Sequence, residues 1–325
     1  MMTSLGRLLT RHAQIVVLIL LFAAASLGQS DFLSRLNLSA IAVQYAIIGL
    51  IALGQFATML TGGIDLSQGS IIALSSVTVA AASQSFGLAG GIVAALLVSA
   101  AVGAVNGALA TFTRIPPFVI TLGMLGAVRG LALTATNSRP IPITDPGYMA
   151  FGRSKFLEVP STFWLFLLMA VALSLLLRHW PLGRHFYAVG GNEENSRLSG
   201  VNVPSVKLTA YVISGLLSGL AGLAITSRMG TGHPLSGTNY ELESIAAVII
   251  GGASLFGGIG RVSNVVAGVL ILGIVNSVIN LLGISPYLHG TLKGTVVLLA
   301  VALSQVDLRQ FVGRGASASQ GLRRA

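Results

Sequence analysis

HFYAVGGNEENSRLSGVNVPSVK, residues 185–207, is a charged stretch set between two apolar runs, 161–178 and 208–227. Gly190 and Gly191 are expected to break the chain. Asn192 then suits an N-cap, with Glu193 and Glu194 in the first turn, where the helix dipole favours anions. Arg197 follows Glu193 at i+4, and Gly200 supplies a stop, so 193–199 reads as a short independent helix. Asn202 and Pro204 restart the chain as the next apolar run, with Pro near the first turn. A two-turn helix has too few hydrogen bonds to hold itself in water. It needs a surface: either the rim of a bundle that it caps, or a soluble partner into which it docks as a peg.

The chain around this insert reads as oil. Of 325 residues, 54% are hydrophobic and 9% charged, with a mean hydropathy of +0.85, against about 25% charged in a soluble domain. The apolar runs are continuous and do not alternate with period two, which disfavours a transmembrane barrel. The fold class expected is an all-α integral membrane protein, a helical bundle whose forty glycines allow close packing in lipid. Without cysteine there is no disulfide, thiolate or Cys-bound metal. The net charge of +10 comes from basic residues at the ends of apolar runs. That placement points to membrane orientation, not to nucleic acid.

Apolar segments fall near 14–29, 40–60, 70–86, 88–112, 117–137, 161–178, 208–227, 244–257, 263–283 and 287–304, ten in all. The segment at 244–257 is short and ends in GGASLFGGIGR, as a half-helix or re-entrant piece would. With both termini cytoplasmic, twelve of the nineteen Lys and Arg residues lie inside and five outside, with Arg129 and Lys293 inside spans. The bias favours that orientation. The organisation expected is a cytoplasmic N-terminus over 1–13, a transmembrane domain over 14–304 with a cytoplasmic loop at 179–207, and a basic, disordered tail over 305–325. The first apolar segment can also be read as a signal peptide, with Arg7 and Arg11 ahead of an apolar core at 15–22 and the small residues AAAS after it.

Residues 103–122 and 273–292 coincide at six positions offset by 170, among them Gly103/Gly273, Asn106/Asn276 and Pro116/Pro286. The pairs lie five spans apart, so the copies run in opposite directions. Inverted repeats of this kind enclose transport pathways, although chance matches among apolar residues are the simpler alternative.

Much chemistry is excluded. No segment matches the phosphate-binding G-x-x-x-x-G-K-[ST] loop, so the chain does not hydrolyse ATP by itself. The five histidines are scattered without metal-ligand spacing. Nearly all nine carboxylates lie in loops or near span ends. Asp65, in MLTGGIDLSQGS, is open to two readings: a coupling carboxylate of an ion-driven carrier, or a cap for the N–H groups opening the next span. Ser67 and Ser70 favour the cap. Arg129 sits near the outer end of its span and can reach water, while Lys293 is deeper. Gln44, Gln55, Asn106, Asn276 and Asn280, with Asp65, are the polar residues that could line a path. Each can equally hydrogen-bond between helices.

Three runs together resemble the permease subunits of bacterial ABC importers of the ribose type: TGGIDLSQGSI, GRHFYAVGGNEENSRLSGVNVPSVKLTAYVISGLLSGLAGL and YELESIAAVIIGGASLFGGIGRV. The resemblance covers about residues 40–304. It implies a fold similar to the vitamin B12-type importers, with about ten helices. It also implies a paired partner, either a second copy or a sister permease, a cytoplasmic ATPase that carries ATP and Mg, and a periplasmic sugar-binding protein. No cofactor or metal is implied for this chain. The loop matching 190–204 resembles a coupling helix, which assigns ATPase contact to Gly191, Asn192, Glu193, Glu194, Ser196, Arg197, Leu198 and Gly200. The outer charges Arg35, Arg139, Arg153, Lys155, Arg228, Glu241 and Glu243 become candidates for steering the binding protein. The rival readings are an ion-coupled secondary transporter and a membrane scaffold or receptor subunit without transport.

Overall fold

The computed structural model describes residues 13–285 and positions 288, 290, 291, 294 and 295. The N-terminal twelve residues, the basic tail and most of the tenth apolar segment, with Lys293, lie outside the described residues. The chain folds as α1 (Ala13–Gly28), α2 (Arg35–Leu60), α3 (Gln68–Phe112), α4 (Pro117–Thr136), α5 (Pro146–Arg153), α6 (Ser161–His179), α7 (Pro181–Gly191), α8 (Glu193–Leu198), α9 (Val203–Met229), α10 (Tyr240–Ile250) and α11 (Val262–Leu281). Four two-residue strands join the loops: β1 (Ile141–Pro142), β2 (Lys155–Phe156), β3 (Val159–Pro160) and β4 (Thr231–Gly232). β1 pairs antiparallel with β4, Ile141 opposite Gly232, and β2 pairs with β3.

Among the described residues six helices are long and apolar enough to cross a membrane. One of them, α3, has a non-helical residue at Gly87 (φ 68, ψ 172), a conformation that glycine adopts without steric cost. The two apolar runs read on either side of it are therefore two helices that meet at this residue, the first and second arms of α3. They fold back on each other: Val79 and Ala80 of the first pack with Ala95, Leu88 and Ile92 of the second. A Cβ at Gly91 would stand 2.9 Å from the Val79 carbonyl oxygen. The expected short segment at 244–257 is α10, eleven residues that end at Ile250, about half of what a bilayer requires.

The bundle is organised around α2 and α9, which pack on each other and are buried over most of their length. They run in opposite directions. Arg35 at the start of α2 lies 3.8 Å from Glu158, and Leu60 at its end lies against Gly190. Lys207 at the start of α9 meets Glu193 at 2.6 Å, and α9 ends at the β1–β4 pair, where Ile143 donates to the Gly230 carbonyl.

Two of the positions that coincide at the offset of 170 make similar contacts. A Cβ at Gly103 would come within 2.4 Å of the Tyr211 carbonyl oxygen, and one at Gly273 within 3.1 Å of the Tyr45 ring. The second arm of α3 thus lies on α9 as α11 lies on α2, each through a glycine set against a tyrosine. One turn later Asn106 donates to Ser67 Oγ at 2.8 Å, and Asn276 donates to the Tyr45 hydroxyl.

Candidate functional site

The polar insert is built from local signals. Asn192 is the N-cap of α8, and its Oδ1 accepts from the Asn195 N–H at 2.8 Å. Ser196 faces inward and donates to the Asn192 carbonyl at 2.8 Å. Gly200 takes φ +83, and the next N–H, from Val201, returns to the Ser196 carbonyl at 3.0 Å. Asn202 caps α9 by accepting from Ser205. Two details differ from expectation. Arg197 pairs with Glu194 at 2.7 Å, leaving Glu193 to pair with Lys207 of the next helix. The Glu194 carboxylate, hydrogen-bonded to the Arg197 guanidinium, raises that group's pKa further. The short helix therefore carries one internal ion pair and one tether to the bundle. Its apolar Leu198 is 77% exposed.

The second difference is at Gly190 and Gly191, which do not break the chain, because α7 runs through both. Gly190 is small because of contact: a Cβ there would fall 1.8 Å from the Leu60 carbonyl oxygen. That oxygen, one of the orphan acceptors at the end of α2, accepts from the Gly258 N–H at 3.0 Å. Gly257 (φ +98) rests on the Gly190 backbone. The base of α8, the end of α2 and the loop after α10 thus meet backbone to backbone. Beside this joint lies a cavity of about 410 Å³ walled by Thr61–Gly63, Gly190–Glu193, Lys207, Tyr211 and Phe256.

Deeper in the bundle, Asp65 is fully buried. Its Oδ1 accepts from Ser67 N–H (3.0 Å) and Ser67 Oγ (2.7 Å), and its Oδ2 accepts from Ser214 Oγ (2.7 Å). Gln68 donates to Ser214 Oγ and to the Ile51 carbonyl, both at 2.9 Å, and accepts from Ser244 Oγ at 2.8 Å. The Asp65 carboxylate therefore acts at the start of α3, although Ser67 is the residue that precedes the helix. Gln68, Ser214 and Ser244 are absent from the sequence-derived candidates, since a serine on a Gly-rich helix gives no sign of its partner.

The other pathway candidates scatter. Asn106 joins the Asp65 network through Ser67, while Asn276 sits in the other half against Tyr45. Gln44 is half-buried and Asn280 exposed. Gln55 is fully buried on α2, and neither atom of its amide has a hydrogen-bond partner among the described residues. Arg129 is half-buried, and it donates to three backbone carbonyls, those of Gly69, Pro234 and Ser236.

The charges expected on the outer face divide. Arg35, Arg139, Arg153, Lys155 and Arg228 are exposed, and Arg153 Nε donates to the Arg228 carbonyl at 3.2 Å. Glu241 is not on a rim. It is 7% exposed, and its carboxylate occupies the space that a side chain at Gly69 would fill. Glu243 on the same helix is half-buried. Both positions follow from α10 beginning inside the bundle, because the preceding segment re-enters it.

Known proteins match this chain along most of its length. It is 42% identical to the ribose import permease protein of Bacillus subtilis (strain 168), over 89% of this chain and 90% of that one. It is 38% identical to the ribose import permease protein of Escherichia coli (strain K12), over 90% and 93%. It is 36% identical to the L-arabinose ABC transporter permease protein of Azospirillum brasilense, over 94% and 90%. A family model described as "Branched-chain amino acid transport system / permease component" matches residues 37–301, and the chain belongs to that permease family.

Proposed function

We propose that this chain is the membrane-spanning subunit of an ATP-binding-cassette importer carrying a small, ribose-like sugar across the bacterial inner membrane. The observation that carries the reading is α8: a helix capped at both ends, tethered by Lys207 and offering an exposed Leu198 beside its charges. Such a rigid projection fits the cleft of a separate ATPase, which holds ATP and Mg. The ribose and L-arabinose permeases among its relatives support a monosaccharide cargo. In this reading both termini are cytoplasmic, and the bundle has about ten helices in a vitamin B12-type arrangement. It pairs with a second copy or a sister permease. A periplasmic binding protein delivers the sugar to the face bearing Arg35, Arg139, Arg153, Lys155 and Arg228.

Work enters through α8 and passes at Gly190 into the end of α2, since backbones in contact cannot slide independently. The bundle then exchanges outward for inward access as two packed halves. The binding protein supplies affinity, so the path requires polarity without tight binding. Gln55, with an amide free to meet hydroxyls, is the strongest lining residue.

Uptake of ribose and L-arabinose into vesicles holding this chain, its ATPase and its binding protein tests the reading. Leu198→Arg is expected to abolish ATPase co-purification and cut uptake at least tenfold while the bundle stays folded. Uptake that survives without the ATPase and collapses with the proton gradient would instead establish an ion-coupled carrier.

A further inference from the structure

Between β4 and α10 the chain follows a non-helical course along the first arm of α3, with Pro234, Ser236 and Gly237 buried and Leu235 exposed. Gly232 packs on the Ser76 carbonyl, and Gly237 packs on Ile72 and the Gly69 carbonyl. Residues 232–237 therefore descend along the first arm of α3, and α10 begins level with the start of that helix. Backbone carbonyls in such a segment have no helical partner and, away from water, must find donors elsewhere.

Arg129, on α4, supplies them. Its Nη1 donates to the Pro234 and Ser236 carbonyls, each at 2.9 Å, and its Nη2 donates to the Gly69 carbonyl at 3.0 Å. Only a planar guanidinium presents donors in a fork wide enough for acceptors on two separate elements; an ammonium is a single point. Glu241, buried beside Gly69, provides the opposing charge. Gly69 belongs to the first half of the repeat, and Pro234 and Ser236 to the second. One side chain thus bridges parts that alternating access must move apart.

Resting on the importer reading above, we propose that Arg129 is a positioning residue of the transport cycle: a latch that holds segment 233–239 against the start of α3. While it is engaged, the bundle is closed to the side bearing the β1–β4 pair, and releasing it is a step of outward opening. The acceptors are neutral carbonyls rather than a carboxylate, so the latch opens without separating a bonded ion pair.

The chain has no cysteine, so Ser236→Cys, at a site 7% exposed, gives a single thiol reporter. Its labelling by a membrane-impermeant maleimide is measured in the full transporter with reagent on either side of the membrane. With Arg129 intact, labelling is expected to be slow. With Arg129→Gln it is expected to rise at least tenfold, from the β1–β4 side only. The maximal uptake rate should fall while KM and ATPase co-purification hold. Arg129→Lys, which keeps the charge and loses the fork, is expected to behave like Gln. Unchanged labelling in Gln, or wild-type labelling in Lys, overturns the latch. Should Gln fail to reach the membrane, Lys decides alone; loss of both variants makes Arg129 a folding residue and overturns the proposal as well. Wild-type uptake in the same vesicles keeps a failure of the importer reading distinct from a failure of the latch.

Discussion

Residues 61–67 and 233–239 do a similar job, each carrying non-helical backbone against the helices of the bundle, and they do it with opposite charges. The first begins with a Thr-Gly pair, Thr61-Gly62, and the second directly follows one, Thr231-Gly232, at an offset of 170. In the first segment the carboxylate of Asp65 accepts from an N–H and two hydroxyls. In the second the guanidinium of Arg129 donates to the carbonyls of Pro234 and Ser236, and to that of Gly69 on α3. Unwinding a helix exposes donors and acceptors alike. An ionised carboxylate can only accept and a guanidinium can only donate, so each segment is held through the half of its backbone groups that its charge can serve. The first segment carries its own ligand, while the second borrows one from α4. The first is therefore the more self-contained, and the second the easier to release.

Removing the self-contained device is expected to have the largest effect on stability. Asp65→Ala strips the acceptor from three buried donors, each costing about 1–3 kcal/mol when left unsatisfied. A loss of at least about 3 kcal/mol follows, read as a sharply lowered melting temperature in detergent and poor recovery from membranes. Asp65→Asn, which keeps an acceptor oxygen, should lose less. Melting unchanged in Asp65→Ala would break the comparison, since the first segment would then need no ligand. Next in size is Gly190→Ala, where α2 leads into that segment. Its Cβ would fall 1.8 Å from the Leu60 carbonyl oxygen, a clash relieved only by backbone movement, at about 1–3 kcal/mol. Uptake is expected to fall at least tenfold with the ATPase still bound. Retained uptake would show that the joint transmits nothing.

What could be read from the sequence follows the range of the forces involved. Asn192, Gly200 and Asn202 were legible because caps act within four residues, and the apolar runs because lipid imposes a length. The coincidences at an offset of 170 are visible as identities, but the contacts behind two of them are not: nothing in the sequence sets Gly103 on Tyr211 or Gly273 on Tyr45. Glu193 was paired with Arg197 on helical spacing alone, whereas the structure gives it Lys207, fourteen residues on. Gly190 looked like a breaker because a glycine chosen for contact and one chosen for conformation are written alike. Glu241 looked like a rim residue because TGHPLSGTN resembles any surface loop, and only the packing of Gly232 and Gly237 along α3 reveals that it dives inward.

The smallest of these effects belongs to the exposed helix α8, where the backbone groups left over by a helix end have solvent as an alternative partner. Asn192→Ala removes the bond to the Asn195 N–H, worth about 1 kcal/mol as an N-cap. The Asn195 side of α8 is exposed, so its N–H can turn to water, and melting of the bundle should move little. Uptake is expected to fall severalfold nonetheless, because a frayed two-turn helix transmits force poorly, and higher ATPase concentrations should recover part of it. A melting shift rivalling that of Asp65→Ala would mean that α8 is packed into the fold as firmly as the unwound segments are. The helix would then cap the rim, and the place where work enters the bundle would have to be sought at the Leu60–Gly190–Gly258 joint itself.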